Sequence, residues 1–201
     1  MTIHFGEREQ ISMKRMLRIL FLSVAMILVY ALSACSFAEQ EIYTIQKLNS
    51  MKVDMSAYKG MSSTNHRFLR MPPEELIKLI EEKGSAVFYI GYSSCPNCQE
   101  AVKLINAAAE EYGIVVYYID CYDENDPLSP YVEEYEEVLY SILPEKDGER
   151  SIQVPLVFAV RKGTLSESYC GLISSYDGSE ESDQKMIGIY KDIMKNFEMK
   201  E

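Results

Sequence analysis

The sequence of 201 residues predicts an α/β fold, in which strands and helices alternate along one domain. From about residue 66 to residue 199, strand-like segments alternate with segments of helical periodicity. The segment 86–92 is apolar throughout, as expected of a central strand that is buried on both faces. Directly after it, Cys95-Pro96-Asn97-Cys98 opens a helical segment. A cysteine pair between a buried strand and a helix is typical of a redox-active dithiol.

Five segments have the composition of strands. The first is short and is expected at an edge of the sheet. The second and third are almost continuous apolar runs, which favours central positions. The last two are joined by a turn at Lys162-Gly163. The predicted strands are 66–69, 87–92, 114–120, 156–160 and about 166–170.

Four segments have the periodicity of amphipathic helices. Prolines and acidic residues at 72–75 suit the first turn of the first helix, and Gly84 ends it. The cysteine pair begins the second helix, and Ser129-Pro130 suits the cap and first turn of the third. The fourth follows a polar loop. The apolar residues at helical spacing are Leu76, Ile77, Leu79 and Ile80, then Val102, Ile105, Ala109 and Tyr112, then Val132, Tyr135, Leu139 and Ile142, and finally Met186, Ile187, Tyr190, Ile193, Met194 and Phe197.

Cys95 and Cys98 are the candidate catalytic residues. Free N–H groups and the helix dipole at a helix N-terminus favour a thiolate, so Cys95 is the expected attacking thiol. Cys98, one turn on, can close a short disulfide and release a trapped partner. The alternatives are a permanent structural disulfide or a metal site. Zinc normally takes four ligands, and only His66 remains outside the N-terminal leader, so we expect no metal and no other cofactor.

The segment 152–160 places Val154-Pro155 at the start of a predicted strand. Together with the dithiol and the order βαβαβαββα, it resembles the thioredoxin superfamily. The resemblance implies a thioredoxin-like three-layer sandwich, a central mixed sheet with helices on both faces. It also implies a cis peptide bond before Pro155, facing the dithiol; the alternative is an ordinary trans proline that starts a strand. The substrate-binding residues that it implies are Pro96, Asn97, Val154, Pro155 and Gly171.

Within the superfamily, the segment 88–98 is similar to the bacteriocin transport accessory proteins of Gram-positive bacteria, which implies a surface-associated thiol role. The sequence departs from the thioredoxin pattern at two positions. Ser94 replaces a tryptophan. Tyr89 replaces the buried aspartate that serves thioredoxin reductants as a proton acceptor, so proton transfer must use water or another group. The direction of electron flow stays open, because a proline such as Pro96 occurs in reductants and oxidants alike.

Cys121 and Cys170 follow the third and the last predicted strand. In the family's sheet order two other strands lie between these, which separates the two cysteines by about 14 Å. A disulfide needs a Cα separation below about 7 Å. We therefore expect two small buried apolar residues, with auxiliary thiols near the dithiol as the alternative.

The N-terminus has the features of a bacterial lipoprotein signal peptide, predicted at 1–34. Basic residues precede an apolar stretch, 19–34, that is short for a membrane span. It ends in Leu32-Ser33-Ala34-Cys35, which resembles a lipobox, so Cys35 is the expected site of lipidation; the alternative is an uncleaved anchor. Acidic residues before the basic cluster suggest that translation starts at Met13. Residues 35–65 are then a tether and N-terminal extension, and 66–201 the thioredoxin-like domain.

The formal net charge of −11 argues against nucleic acid as a partner. From the cysteine pair at the start of a helix, the Val154-Pro155 pair and the lipobox, we expect a membrane-tethered thiol–disulfide oxidoreductase that faces outside the cytoplasm. Its expected partners are protein or peptide thiols and disulfides, a membrane redox partner, and the membrane itself through the lipid. The alternative is a non-catalytic accessory lipoprotein that uses the same scaffold to assist export or to hold a peptide.

Overall fold

A six-stranded mixed sheet organises the part of the chain that the structure, a computed structural model, describes: residues 41–72, 74–121, 132–146 and 148–199. The strands are β1 (Tyr43–Ile45), β2 (Met51–Lys52), β3 (Phe68–Arg70), β4 (Ala86–Gly91), β5 (Val116–Asp120), β6 (Glu145–Lys146), β7 (Glu149–Arg150), β8 (Leu156–Arg161), β9 (Thr164–Cys170) and β10 (Phe197–Met199). The helices are α1 (Glu74–Glu81), α2 (Pro96–Tyr112), α3 (Val132–Leu139) and α4 (Glu180–Met194).

The strand order of the large sheet is β2-β3-β5-β4-β8-β9. Strands β3, β5 and β4 are parallel, whereas β8 and β9 run antiparallel to their neighbours. The connection from β3 to β4 and the connection from β4 to β5 cross the sheet in opposite directions. Because such crossovers are right-handed, α1 and α2 lie on opposite faces. The predicted fold class, an α/β sandwich with a central mixed sheet and helices, is confirmed.

The central strands are buried because their side chains are apolar on both faces. Every residue of β4 and of β8 is buried. Phe88 of β4 stacks on its cross-strand partner Phe158 at a centroid distance of 5.1 Å. Helix α2 covers this region with Val102, Ile105 and its alanines. Tyr112, predicted on the same apolar face, is instead exposed.

Residues 42–65, which belong to the predicted tether and N-terminal extension, are part of the same compact unit as the sheet. Strand β1 pairs in parallel with β10, and β2 pairs with β3. Because β2 lies beside it, β3 is not the edge strand that the sequence predicts. The residues of this segment that are buried in the common core are Ile45, Leu48, Met55 and Tyr58.

The C-terminal helix ends earlier than its periodicity predicts. Phe197 belongs to β10, because Asn196 adopts a left-handed conformation with φ 66° and ends the helical path. The predicted leader 1–34, Cys35, the cap at Ser129-Pro130 and Pro73 lie outside the described residues. Within the described ranges, no helix is long and apolar enough to cross a membrane.

Candidate functional site

Cys95 is the N-cap of α2, a helix of 17 residues. Its backbone is extended, with φ −78° and ψ 120°. Pro96 occupies the first turn of the helix, where a backbone N–H would have no partner within the helix, so proline is tolerated there. The Cys95 Sγ accepts a hydrogen bond from the backbone N–H of Cys98 at 3.3 Å. The sulfur therefore takes the place that a serine or aspartate oxygen takes in ordinary caps. Both cysteines are free thiols.

As predicted, the Cys95 thiol is more exposed than the Cys98 thiol. Both thiols are nevertheless more buried than the sequence predicts for residues at an exposed helix N-terminus. Cys95 is 7% exposed and Cys98 is 0% exposed. Pro96 and Asn97, between them, are exposed. A partner that reaches Cys95 therefore meets these two residues first.

Burial first, and then the hydrogen bond with Cys95, raise the pKa of the Cys98 thiol to about 12. A backbone hydrogen bond from Tyr92 and the Tyr89 hydroxyl act in the opposite direction. Cys98 thus stays protonated at neutral pH, and its attack on a disulfide requires that the proton be removed.

The peptide bond between Val154 and Pro155 is cis, as predicted. The register pairs Ile90 with Leu156, which places Pro155 beside Gly91 at the end of β4 where the dithiol loop begins. Gly171 donates its N–H to the Pro155 carbonyl at 2.8 Å and has φ 78°. A Cβ added at Gly171 would meet no atom within 4 Å, so the space beside it is open. Pro155 and Gly171 therefore lie at the end of the sheet where the dithiol loop begins.

Cys121 and Cys170 lie at the same end of the sheet but are not paired with each other. Cys121 donates its N–H to the Gly91 carbonyl at 3.2 Å, and the Cys170 thiol donates to the Gln153 carbonyl at 3.4 Å. Both side chains are half-buried against the core. Burial raises the pKa of each thiol, for Cys121 to about 12. They match the prediction of small apolar residues in their packing, although neither is fully buried.

Gln99 connects the dithiol loop to the extension, a contact that the sequence analysis missed. Its Nε2 donates to the carbonyls of Ser93 and Ala57, and its Oε1 accepts from the Lys59 N–H at 2.7 Å. Nothing in the local sequence indicates the contacts with Ala57 and Lys59, because these residues lie about 40 positions upstream in the chain.

Three tyrosines, Tyr58, Tyr89 and Tyr118, form a cluster behind the dithiol that the sequence analysis also missed. The Tyr89 and Tyr118 rings stack at 5.4 Å as cross-strand partners on β4 and β5. The hydroxyls of Tyr58 and Tyr118 lie 3.0 Å apart. The Tyr89 hydroxyl is buried and makes no hydrogen bond of normal geometry with the protein. It nevertheless lies close enough to Cys98 and to Tyr58 to lower the pKa of both.

A side cavity of about 280 Å³ opens next to this tyrosine cluster. Its walls include Tyr58 and Tyr118, Ser93 of the dithiol loop, and Asp120 at the end of β5. Lys52 and Arg70 line it from β2 and β3. The cavity therefore reaches from the tyrosine cluster to Ser93 in the dithiol loop. Within the described residues, His, Cys, Asp and Glu side chains form no group of three or more that could hold a metal ion.

Neither a family model nor a curated protein matches the chain. Solved structures that resemble it are thioredoxins. The Trypanosoma brucei brucei thioredoxin is 14% identical, over 67% of this chain and 97% of its own, with a TM-score of 0.42. Thioredoxin O2 from Arabidopsis thaliana in the oxidized state is 15% identical, over 66% of this chain and 96% of its own, with a TM-score of 0.41.

At these identities and TM-scores the likeness says nothing about activity. The strand order and the site together define the class: an α/β protein with a mixed central sheet and a cysteine pair at a helix N-terminus.

Proposed function

We propose that the protein is a membrane-tethered thiol–disulfide oxidoreductase that faces outside the cytoplasm. The observation that supports this proposal best is the position of Cys95 as the cap of α2, with its sulfur accepting the Cys98 N–H at 3.3 Å. N–H groups at a helix N-terminus stabilise a thiolate, and the thiolate is the nucleophile of disulfide exchange. Cys98, buried one turn further on, is placed to resolve.

In the reducing direction, the Cys95 thiolate attacks one sulfur of a substrate disulfide, and the other substrate sulfur leaves as a thiolate. Cys98 then loses its proton and attacks the Cys95 sulfur. The 95–98 disulfide forms, the mixed disulfide breaks, and the second substrate thiol is released. Two electrons pass from the dithiol to the substrate. The reverse sequence oxidises a substrate dithiol, and no other cofactor is required in either direction.

The surroundings of Cys95 suit a protein or peptide substrate. Pro96 and Asn97 are exposed, and we propose that Val154, Pro155 and Gly171, at the same end of the sheet, contact the substrate with them. A membrane redox partner that restores the dithiol completes the cycle. The similarity of 88–98 to the bacteriocin transport accessory proteins suggests that the substrates are exported peptides.

Partner trapping in cells tests the catalytic proposal. Cys98→Ser should retain the first attack but not resolution, so mixed disulfides should accumulate on Cys95. Cys95→Ser, the matched control, should trap nothing. If neither variant traps a partner, the catalytic proposal is wrong.

The membrane tether is a separate proposal, and the apolar stretch 19–34 followed by Cys35 supports it. Processing before Cys35 should leave a chain of residues 35–201 that partitions into detergent, and Cys35→Ala should prevent this. Mass spectrometry of the native protein with an unmodified Cys35 and the leader still attached would contradict the tether and leave the catalytic proposal intact.

One observation favours a second function, that of a non-catalytic accessory lipoprotein. Both cysteines are buried, and burial keeps the pKa of Cys98 far above neutral, which disfavours the thiolate that disulfide exchange requires. The reduction potential of the 95–98 pair separates the two functions. A value below about −300 mV is that of a stable structural disulfide and would support the accessory role.

A further inference from the structure

Resolution by Cys98 requires a path for its proton. Cys98 is 0% exposed, so solvent does not reach the thiol directly. The Tyr89 hydroxyl is a side-chain group that lowers the pKa of this thiol, and the backbone of Tyr92 also lowers it. Cys98 lies in the first turn of α2, and Tyr89 lies on β4, the strand that leads into the dithiol loop.

The Tyr89 hydroxyl is held in place although it has no good partner. A Cβ added at Gly91 would collide with it, so glycine at that position leaves the room that the hydroxyl occupies. The ring is fixed between Phe68, at a centroid distance of 5.8 Å, and Tyr118, at 5.4 Å. A hydroxyl that is positioned by packing, and that no protein group satisfies, is available to the thiol beside it.

From Tyr89 a series of polar groups leads to solvent. The Tyr58 hydroxyl interacts with that of Tyr89 and lies 3.0 Å from that of Tyr118. The Tyr118 hydroxyl interacts in turn with the Asp120 carboxylate. Tyr58, Tyr118 and Asp120 all line the side cavity. The path therefore begins at a fully buried thiol and ends at a solvent-accessible carboxylate.

We propose that Tyr89 is the catalytic hydrogen-bonding partner of Cys98 during resolution, and that Tyr58, Tyr118 and Asp120 carry the Cys98 proton to the side cavity. This inference rests on the proposed oxidoreductase function. In the step, the Cys98 S–H bond breaks and its proton passes to the Tyr89 oxygen as the Tyr89 proton passes to Tyr58. The transfer continues through Tyr118 to Asp120, which releases the proton to solvent.

The electrons of the same step balance within the mixed disulfide. The electron pair left on Cys98 forms the bond to the Cys95 sulfur, and the pair of the broken mixed disulfide leaves with the substrate sulfur. Burial raises the pKa of every phenol in the path, so no tyrosine stays ionised, and each gives up one proton as it receives another. Tyr58, Tyr118 and Asp120 are positioning residues in this path, because they act on the thiol only through Tyr89.

The pH dependence of the step belongs to all the titratable groups that face the path. At its inner end these come from α2, β4 and α4, and at its outer end from the extension, β3 and β5. They are Cys95, Tyr89 and Tyr190 around Cys98, and Tyr58, Tyr118, Cys121, Lys52, Asp54 and Arg70 around Asp120.

The experiment follows single-turnover reaction of the reduced full-length protein with an aromatic nitrobenzoate disulfide. Cys35, Cys121 and Cys170 are replaced by serine, so that only the dithiol reacts. The first thiolate released reports attack by Cys95, and the second reports resolution by Cys98. Tyr89→Phe should leave the first phase unchanged and slow the second by about 10- to 100-fold at neutral pH. It should also shift the pH profile of the second phase upward by about one unit or more.

Tyr190→Phe is the matched control. Its hydroxyl is also buried and without a hydrogen-bond partner, and it faces Cys98 from α4, but it does not belong to the path from Tyr89 to Asp120. It should leave both phases unchanged. Asp120→Asn should slow only the second phase and flatten its pH profile, and it replaces Tyr89→Phe as the decisive variant if the latter does not fold.

An unchanged second phase in Tyr89→Phe, or equal slowing in Tyr89→Phe and Tyr190→Phe, overturns the proposed path. If Asp120→Asn is the decisive variant, an unchanged second phase in that variant also overturns the proposed path. Absence of the first phase in the protein with native Tyr89 overturns instead the oxidoreductase function on which the path rests.

Discussion

The two ends of the β4–β8 strand pair hold buried polar groups in opposite ways. At the end away from the dithiol, the Arg161 side chain is 9% exposed, and both terminal nitrogens of its guanidinium group have hydrogen-bond partners. The group lies 5.1 Å from the Tyr43 ring centroid and 4.7 Å from that of Phe197, and so joins β1 to β10. Its polar partners are the Ser166 Oγ at 2.7 Å, the carbonyls of Ile193 at 3.0 Å and Lys195 at 3.1 Å, and the Glu167 carboxylate.

At the dithiol end, the Tyr89 hydroxyl and the Cys98 thiol are buried in an apolar layer, and the hydroxyl has no partner of normal geometry. Leaving a buried polar group unpaired costs about 1–3 kcal/mol, and such groups in native proteins require an explanation. A buried polar group that has partners, such as the Arg161 guanidinium, stabilises the fold. A buried hydroxyl without a partner, such as that of Tyr89, does not, and the proposed role in proton transfer from Cys98 explains its presence. Substitutions at the two ends should therefore affect different quantities.

The largest effect is expected from Cys95→Ser, which should lower the rate of thiol–disulfide exchange at least about 10³-fold, because the nucleophilic sulfur is lost. The melting temperature should stay unchanged, because the serine oxygen can cap α2. Exchange with a small disulfide and thermal unfolding measure the two quantities. Cys121→Ser is the control and should retain the exchange rate. If Cys121→Ser lost the rate and Cys95→Ser retained it, the assignment of Cys95 as the nucleophile would be wrong.

Arg161→Met should have the reverse profile. It leaves two carbonyls without donors and removes the link between β1 and β10, so the free energy of unfolding should fall by about 2–4 kcal/mol. Exchange per folded molecule should not change. Denaturant unfolding provides the measurement. Lys191→Met removes a surface ion pair with Glu111 and should lower stability by less than about 1 kcal/mol. Equal losses in both variants would show that Arg161 is not a structural link.

Tyr89→Phe and Tyr117→Phe compare a hydroxyl without partners with one that has two. The Tyr117 hydroxyl accepts from the Leu48 N–H at 3.1 Å and donates to the Gln46 carbonyl at 2.9 Å. Its loss should lower the free energy of unfolding by about 1–2 kcal/mol. Tyr89→Phe should leave stability unchanged or raise it by up to about 1 kcal/mol. Urea unfolding of the two variants measures both free energies. A clear loss of stability in Tyr89→Phe would mean that the Tyr89 hydroxyl stabilises the fold.

The smallest effect is expected in the pH dependence of stability. The pKa of Cys98 is about 12 in the folded protein, against an ordinary value of 9.0. Between these two pH values the folded state holds a proton that the unfolded state has lost, so stability falls as the pH rises through this window. Chemical denaturation at several alkaline pH values should show a steeper fall in the native protein than in Cys98→Ala. Parallel curves would contradict the burial of this thiol.

Much of the dithiol end could be predicted from the sequence because its signals are local. The strand 86–91, the helix that begins at the cysteine pair and the proline before β8 each depend on a few neighbouring residues. The cis bond at Pro155 agrees with what the resemblance to thioredoxins implied. Tyr89 was also recognised as a departure, although not as part of a cluster.

The sequence by itself determined the alternation of strands and helices, the dithiol at the start of α2, and the absence of a carboxylate at position 89, since each depends on residue type or spacing along a short segment. Only the tertiary structure decided that Tyr58 meets Tyr118, that β1 pairs with β10, and that Arg161 lies between Tyr43 and Phe197. These contacts join residues 60 to 154 positions apart, as for Tyr58 with Tyr118 and Tyr43 with Phe197. The physical reason is that periodicity reports which face of an element is buried, whereas the partner across the core is chosen by packing of the whole chain.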